Sequence, residues 1–196
     1  MDIKTYKLTV DPRILELLGP NLYTNIYYVL AELIANAYDA DASNVYIIAN
    51  DDNITVEDDG NGMSYENGDI AKFLNVAGIS RTNDEDAVSK TLKRHKMGRK
   101  GVGKLAALSV SEEVEVLTIN NGEKSGFVMS RHPKGEMLDA IPEDQIQLSM
   151  VEGNGTAIVM KRPQYRLHKT LSVVKKNLIK IFPLVSEDFA IHIIRD

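Results

Sequence analysis

The chain has 196 residues, 43% of them hydrophobic and 26% charged, and a formal net charge of −5. Those proportions suit one ordinary domain with a real core and exclude wholesale disorder. The absence of cysteine excludes disulfides, thiolate metal sites and thiol nucleophiles, and the expected setting is reducing and cytoplasmic.

The opening MDIKTYKLTV carries no signal-peptide core, and no apolar run approaches the roughly 20 residues a membrane helix needs, so no membrane partner is expected. YKLTV reads as a short strand. Asp11 and Pro12 then supply a cap and a first-turn proline for the helix PRILELL, which Gly19-Pro20 ends. A long helix is predicted over 21–39, because Leu22, Ile26, Val29, Leu30, Leu33, Ile34 and Ala37 recur at helical spacing. Tyr23, Tyr27, Tyr28 and Tyr38 on that helix are read as core packing. Residues 45–49 and 54–57 form two strands around the turn Asp51-Asp52-Asn53, a hairpin.

A short helix is expected over 69–76. Residues 78–103 show little periodicity and many charges, and 104–109 could begin a helix. Further strands fall at 114–119, 126–130 and 156–161, followed by a helix at 170–182 and a last strand at 189–194. This order does not alternate simply. It predicts an α/β fold of two layers, a mixed and mostly antiparallel sheet covered by helices, as one domain over 1–196.

Three segments could carry chemistry. Glu32, Asn36 and Asp39 share one face of the long helix within the apolar ELIANAYDA. Such a triplet can be a solvated helix face, or it can hold a metal or a ligand. Asp58-Asp59-Gly60-Asn61-Gly62 follows a strand. Its glycines allow close approach to a ligand and its aspartate can accept from an exocyclic amine, although Asp and Gly also cluster in plain turns. Gly98-Arg99-Lys100-Gly101-Val102-Gly103-Lys104 imitates a phosphate-binding loop, but Leu105 stands where a magnesium-binding Ser or Thr belongs.

Taken together, ELIANAYDA, EDDGNGM, GRKGVGK and GNGTAIV resemble, in order and separation, the four ATP-binding motifs of the GHKL superfamily. That superfamily holds DNA gyrase, the ninety-kilodalton heat-shock chaperone, histidine kinases, MutL and the MORC proteins. The resemblance extends from Glu32 to Thr156.

It implies the GHKL ATP-binding fold and a magnesium-dependent ATPase. Glu32 would be the general base and Asn36 the magnesium ligand, with Asp39 in a supporting role. Asp58 would read the adenine amino group, with Gly60 and Gly62 allowing close approach, Met63 packing on the base and Thr156 joining the network. Gly101, Val102 and Gly103 would cradle the phosphates, and 78–103 would be the ATP lid. Arg81 and Lys104 are the best cations for the phosphates. His95 is read as solvated.

The resemblance lies nearest the chaperone-like and MORC-like branches, where ATP closes the lid and drives homodimerisation of a larger protein. In those branches a downstream domain supplies a second catalytic cation. The isolated domain would bind ATP and ADP and turn over slowly. The alternatives are a histidine kinase catalytic domain and a DNA-processing ATPase of the MutL or gyrase type. The client, whether nucleic acid or protein, is not written in these residues.

Overall fold

A computed structural model describes residues 4–10, 25–76, 88–97, 103–132, 136–183 and 187–195, with the main chain alone at Val10, Val76 and Lys104. The expected helix over 12–18, the start of the long helix at 21–24, Arg81, Gly101 and Val102 lie outside the described residues.

In chain order the elements are β1 (Tyr6–Lys7), β2 (Thr9–Val10), α1 (Ile26–Asp39), β3 (Asn44–Ala49), β4 (Asn53–Asp58), α2 (Asp69–Leu74) and β5 (Asn75–Val76). A 3₁₀ helix (Gly103–Ser109) leads to β6 (Glu113–Asn120), β7 (Glu123–Ser130), β8 (Met137–Ala140), β9 (Gly155–Lys161), α3 (Leu171–Ile181) and β10 (Ala190–Arg195). Eight strands form one sheet in the order β1-β8-β7-β6-β9-β4-β3-β10, and β2 pairs with β5 apart from it. Within the eight-stranded sheet every pairing is antiparallel except β10 on β3. The fold is the two-layer, mixed and mostly antiparallel α/β sandwich expected from the sequence.

Strand alternation builds the core. On the helix-facing side of the sheet, Ala49, Ile54, Met160, Val114 and Met129 form one row across five strands. Ile47, Val56, Ile158, Val116 and Phe127 form the next. α1 starts at Asn25, whose side chain caps the Tyr27 N–H at 2.9 Å, and it lays Ile26, Val29, Leu30, Leu33, Ile34 and Ala37 into the core. Burying each such Leu or Ile fully is worth roughly 1.5–3 kcal/mol. α3 adds Val174 and Leu178 beside it.

The sequence and the structure differ locally. YKLTV splits at Leu8 into two strands that enter different sheets. The helix predicted over 69–76 ends at Leu74, because Asn75 and Val76 leave it to pair with Thr9 and Val10. Residues 103–109 form a 3₁₀ helix. Tyr27 is buried as expected and Tyr38 packs edge-on against Phe189, but Tyr28 is 49% exposed because it falls on the polar stripe of α1.

Candidate functional site

A third row closes the helix-facing side of the sheet, and it is polar. Asp58, Thr156, Thr118 and Ser125 stand in register on β4, β9, β6 and β7, one step beyond the Val56-to-Phe127 row. Each strand thus exchanges an apolar residue for a polar one at the same end, so the core stops there and a polar floor begins.

Asp58 is 8% exposed. Its Oδ1 accepts the Gly60 N–H at 2.9 Å. Burial raises its pKa most. The Gly60 N–H counteracts that, Asp59 and Glu57 add repulsion, and the Thr156 main chain again favours the ion; the result is about 7. Asp58 is therefore a carboxylate poised near neutrality.

The glycines around it are sterically required. A Cβ on Gly60 would come within 2.7 Å of the Ala40 carbonyl oxygen and 2.8 Å of Asp58 Oδ1. One on Gly62, at φ +66°, would strike the Ile119 carbonyl, and one on Gly155 would strike the Asp58 carbonyl. The Gly60–Met63 turn is pinned from both sides. Asn61 donates its N–H to the Ala40 carbonyl at 2.9 Å and its Nδ2 to Asp41 at 3.0 Å. From β6, Thr118 Oγ1 accepts the Met63 N–H at 2.8 Å, and Asn120 Nδ2 donates to the Asn61 carbonyl at 2.7 Å.

The stripe of α1 runs along the helix whose end, at Ala40, meets the Gly60–Met63 turn. Glu32, Asn36 and Asp39 are all half-buried. Among the described residues the Glu32 carboxylate and the Asn36 amide take no side-chain hydrogen bond, so their oxygens keep free lone pairs. Glu32 lies against the first residue of the 3₁₀ helix, since a Cβ on Gly103 would run into its carboxylate. Asp39 has a different task and accepts the Met97 N–H at 2.7 Å.

That bond is one of several that dock residues 88–97 on the end of α1. Asp41 accepts from the N–H groups of Thr91 at 2.7 Å and Leu92 at 3.1 Å. Arg94 lays its guanidinium over Tyr38, 4.7 Å from the ring centre, and donates to the carbonyls of Ala42 at 2.5 Å and Asp188 at 2.8 Å. His95 is exposed, as expected.

Thus the structure gathers Asp58, Gly60, Gly62, Met63 and Thr156 at one end of the sheet, and Glu32, Asn36, Asp39 and Gly103 along α1. Arg81, Gly101, Val102 and the side chain of Lys104 lie outside the described residues. Thr118 and Asp41 also belong to this region, and both lie outside the four sequence motifs. Thr118 sits in an ordinary strand and only sheet register reveals it. Asp41 carried a legible sign, an acidic residue two positions past the helix stripe.

Residues 23–156 match the family described as histidine kinase-, DNA gyrase B-, and HSP90-like ATPase. The chain belongs to this family and is a GHKL-type ATPase domain. A protein of Herpetosiphon aurantiacus described as a candidate type II restriction enzyme, HgiDII, is 30% identical over 191 residues, covering 93% of this chain and 30% of that protein. The chaperone protein HtpG of Sulfurimonas denitrificans is 27% identical over 173 residues, 76% of this chain and 26% of the chaperone. HtpG of Wolinella succinogenes is 30% identical over 157 residues, 67% of this chain and 25% of the chaperone. The chain therefore spans about a third or less of each relative. Among the described residues no helix is long and apolar enough to cross a membrane.

Proposed function

We propose that this domain binds ATP with magnesium between α1 and the polar end of the sheet, hydrolyses it slowly, and couples nucleotide to closure of residues 78–103 and homodimerisation of a larger protein. The observation that carries the reading is Asp58, a buried carboxylate in a frame where Gly60, Gly62 and Gly155 leave no room for side chains. An acceptor so enclosed suits the exocyclic amine of adenine.

The donor set fits magnesium. Among the described residues no three His, Asp or Glu side chains form a metal cage, and magnesium needs few protein ligands when phosphates and water supply the rest. Asn36, with its free amide oxygen, would be the protein ligand. When bound, the ion neutralises charge on the phosphates. Glu32 would orient the attacking water and take its proton, and Gly103 leaves its carboxylate the space to do so. Arg81, Lys104 and the main chain of Gly101 and Val102 would face the phosphates. A cation from a downstream domain would complete the site, which is why the domain alone is slow.

Chaperone-like coupling draws on the two HtpG relatives. A second reading, an ATPase module in a nucleic-acid-cleaving protein, draws on the HgiDII relative, which aligns with 93% of this chain. Titration calorimetry tests the shared core of both. ATP should bind with a magnesium-dependent affinity that Asn36→Ala abolishes, and failure to bind ATP at millimolar concentration refutes it. Turnover that rises with added duplex DNA favours the second reading; turnover indifferent to DNA favours the first.

A further inference from the structure

The Thr118 side chain is fully buried at the centre of the polar row, between Thr156 and Ser125. Its hydroxyl meets three groups. It accepts the Met63 N–H at 2.8 Å, lies 3.1 Å from the Gly155 carbonyl oxygen and lies 3.2 Å from Thr156 Oγ1. A hydroxyl has one proton to give and two lone pairs to receive. The Gly155 carbonyl can only accept, so the Thr118 proton goes there. One lone pair is taken by Met63. The other is left for the Thr156 proton.

This fixes the polarity of the row. With its proton turned toward Thr118, Thr156 shows an acceptor to the site, in register with the Asp58 carboxylate. We propose that Thr118 is a positioning residue for the nucleotide base. Through the Met63 N–H it holds the Gly60–Met63 turn, and through Thr156 it sets a pair of acceptors that take a purine with a 6-amino group and oppose one with a 6-oxo group. The inference rests on the ATP reading above and adds the origin of base selectivity. A buried polar arrangement that matches one partner leaves another unpaired, and this mismatch, more than attraction, produces discrimination.

The test uses the full chain and calorimetric titration with ATP and GTP, each with magnesium. Thr118→Val keeps the shape and removes the hydroxyl. It frees Thr156 to turn and donate, so ATP affinity should fall roughly tenfold and the preference for ATP over GTP should shrink by a similar factor. Thr118→Ser restores the hydroxyl and should return the preference to within about twofold of wild type. A purely structural Thr118 would lower the melting temperature without moving the preference. If Thr118→Val does not fold, Thr118→Ala, which adds no bulk, takes its place. A folded hydroxyl-free variant with the wild-type preference overturns the inference alone, as does Thr118→Ser behaving like Thr118→Val. A wild-type chain that binds neither nucleotide overturns the ATP reading and this inference with it.

Discussion

Asp41 and Thr91 are 50 positions apart, and the Asp41 carboxylate accepts the Thr91 N–H at 2.7 Å. The same carboxylate takes Leu92 and Asn61, so one side chain ties residues 88–97 both to the end of α1 and to the Gly60–Met63 turn. Burial pushes its pKa up, but hydrogen bonds from Ser89, Thr91, Leu92 and Asn61 outweigh it and leave the pKa below the usual value of 3.8. A carboxylate with a lowered folded pKa stabilises the fold above its unfolded value and loses that contribution as pH falls through the folded one. The tie should therefore hold at every pH above about 4.

Asp41 sits at φ +65°, where glycine is at ease. Asp41→Gly therefore removes the carboxylate without adding backbone strain. Trypsin should then cut after Lys93 and Lys96 at least several-fold faster, an effect worth roughly 1–2 kcal/mol of lost local protection. Unchanged cleavage kinetics would show that Arg94 and Asp39 suffice to hold the segment.

Asp58 gives a pH prediction. Its folded pKa of about 7 lies above the ordinary aspartate value of 3.8, so the folded state retains a proton that the unfolded chain releases. Stability of the ligand-free domain should be greatest below about pH 4 as far as this group is concerned, and should fall by up to about 4 kcal/mol as pH rises to about 7. ATP affinity should move the other way, rising about tenfold from pH 6 to pH 8 as the acceptor ionises. Because Gly60 holds Oδ1, Asp58→Asn would turn its NH₂ toward the base. It should weaken ATP binding by roughly 10²-fold or more and flatten both pH dependences. Calorimetry and melting curves across that range check all three effects.

Glu32→Ala should retain ATP but lose turnover by roughly 10²–10⁴-fold, the usual contribution of a general base. Gly103→Ala should reproduce part of that loss without touching Glu32, since its methyl group would displace the carboxylate. Single-turnover measurements with bound ATP separate chemistry from binding, and wild-type turnover in Glu32→Ala would remove that residue from the mechanism.

Glu57 gives a stability prediction away from the site. Its side chain is 1% exposed, and its carboxylate accepts from Ser149 N and Oγ, Met150 N and Val151 N at 2.6–2.9 Å. Glu57→Ala orphans those donors. It should cost about 3 kcal/mol or more, a fall of roughly 6–12 °C in melting temperature.

Much of this was legible beforehand because it is local. Helical spacing revealed α1 and its stripe, and alternation revealed β3, β4, β6 and β9. Asp58 and its glycines were legible as a motif because they are adjacent in sequence. What escaped depended on distant pairings. β8 is four residues, MLDA, with three of them exposed, so neither length nor alternation marks it. Asn75 and Val76 look like the end of a helix until Thr9 and Val10 claim them. Thr118 enters the site only because β6 pairs with β9 in one register, which LTIN alone does not encode.

The parallel pairing of β10 with β3 joins Ala190 to Asn44 and Arg195 to Ala49, so the partner that covers β3 lies far along the chain. Until β10 emerges from the ribosome, β3 is an open edge, and its NVYIIA is apolar, strongly strand-forming and uncharged. The nascent chain thus carries an adhesive edge until the residues between β3 and β10 have been translated. Truncation before residue 190 makes that condition permanent. Shortened forms should form strand-paired aggregates even though every residue of the polar row is still present.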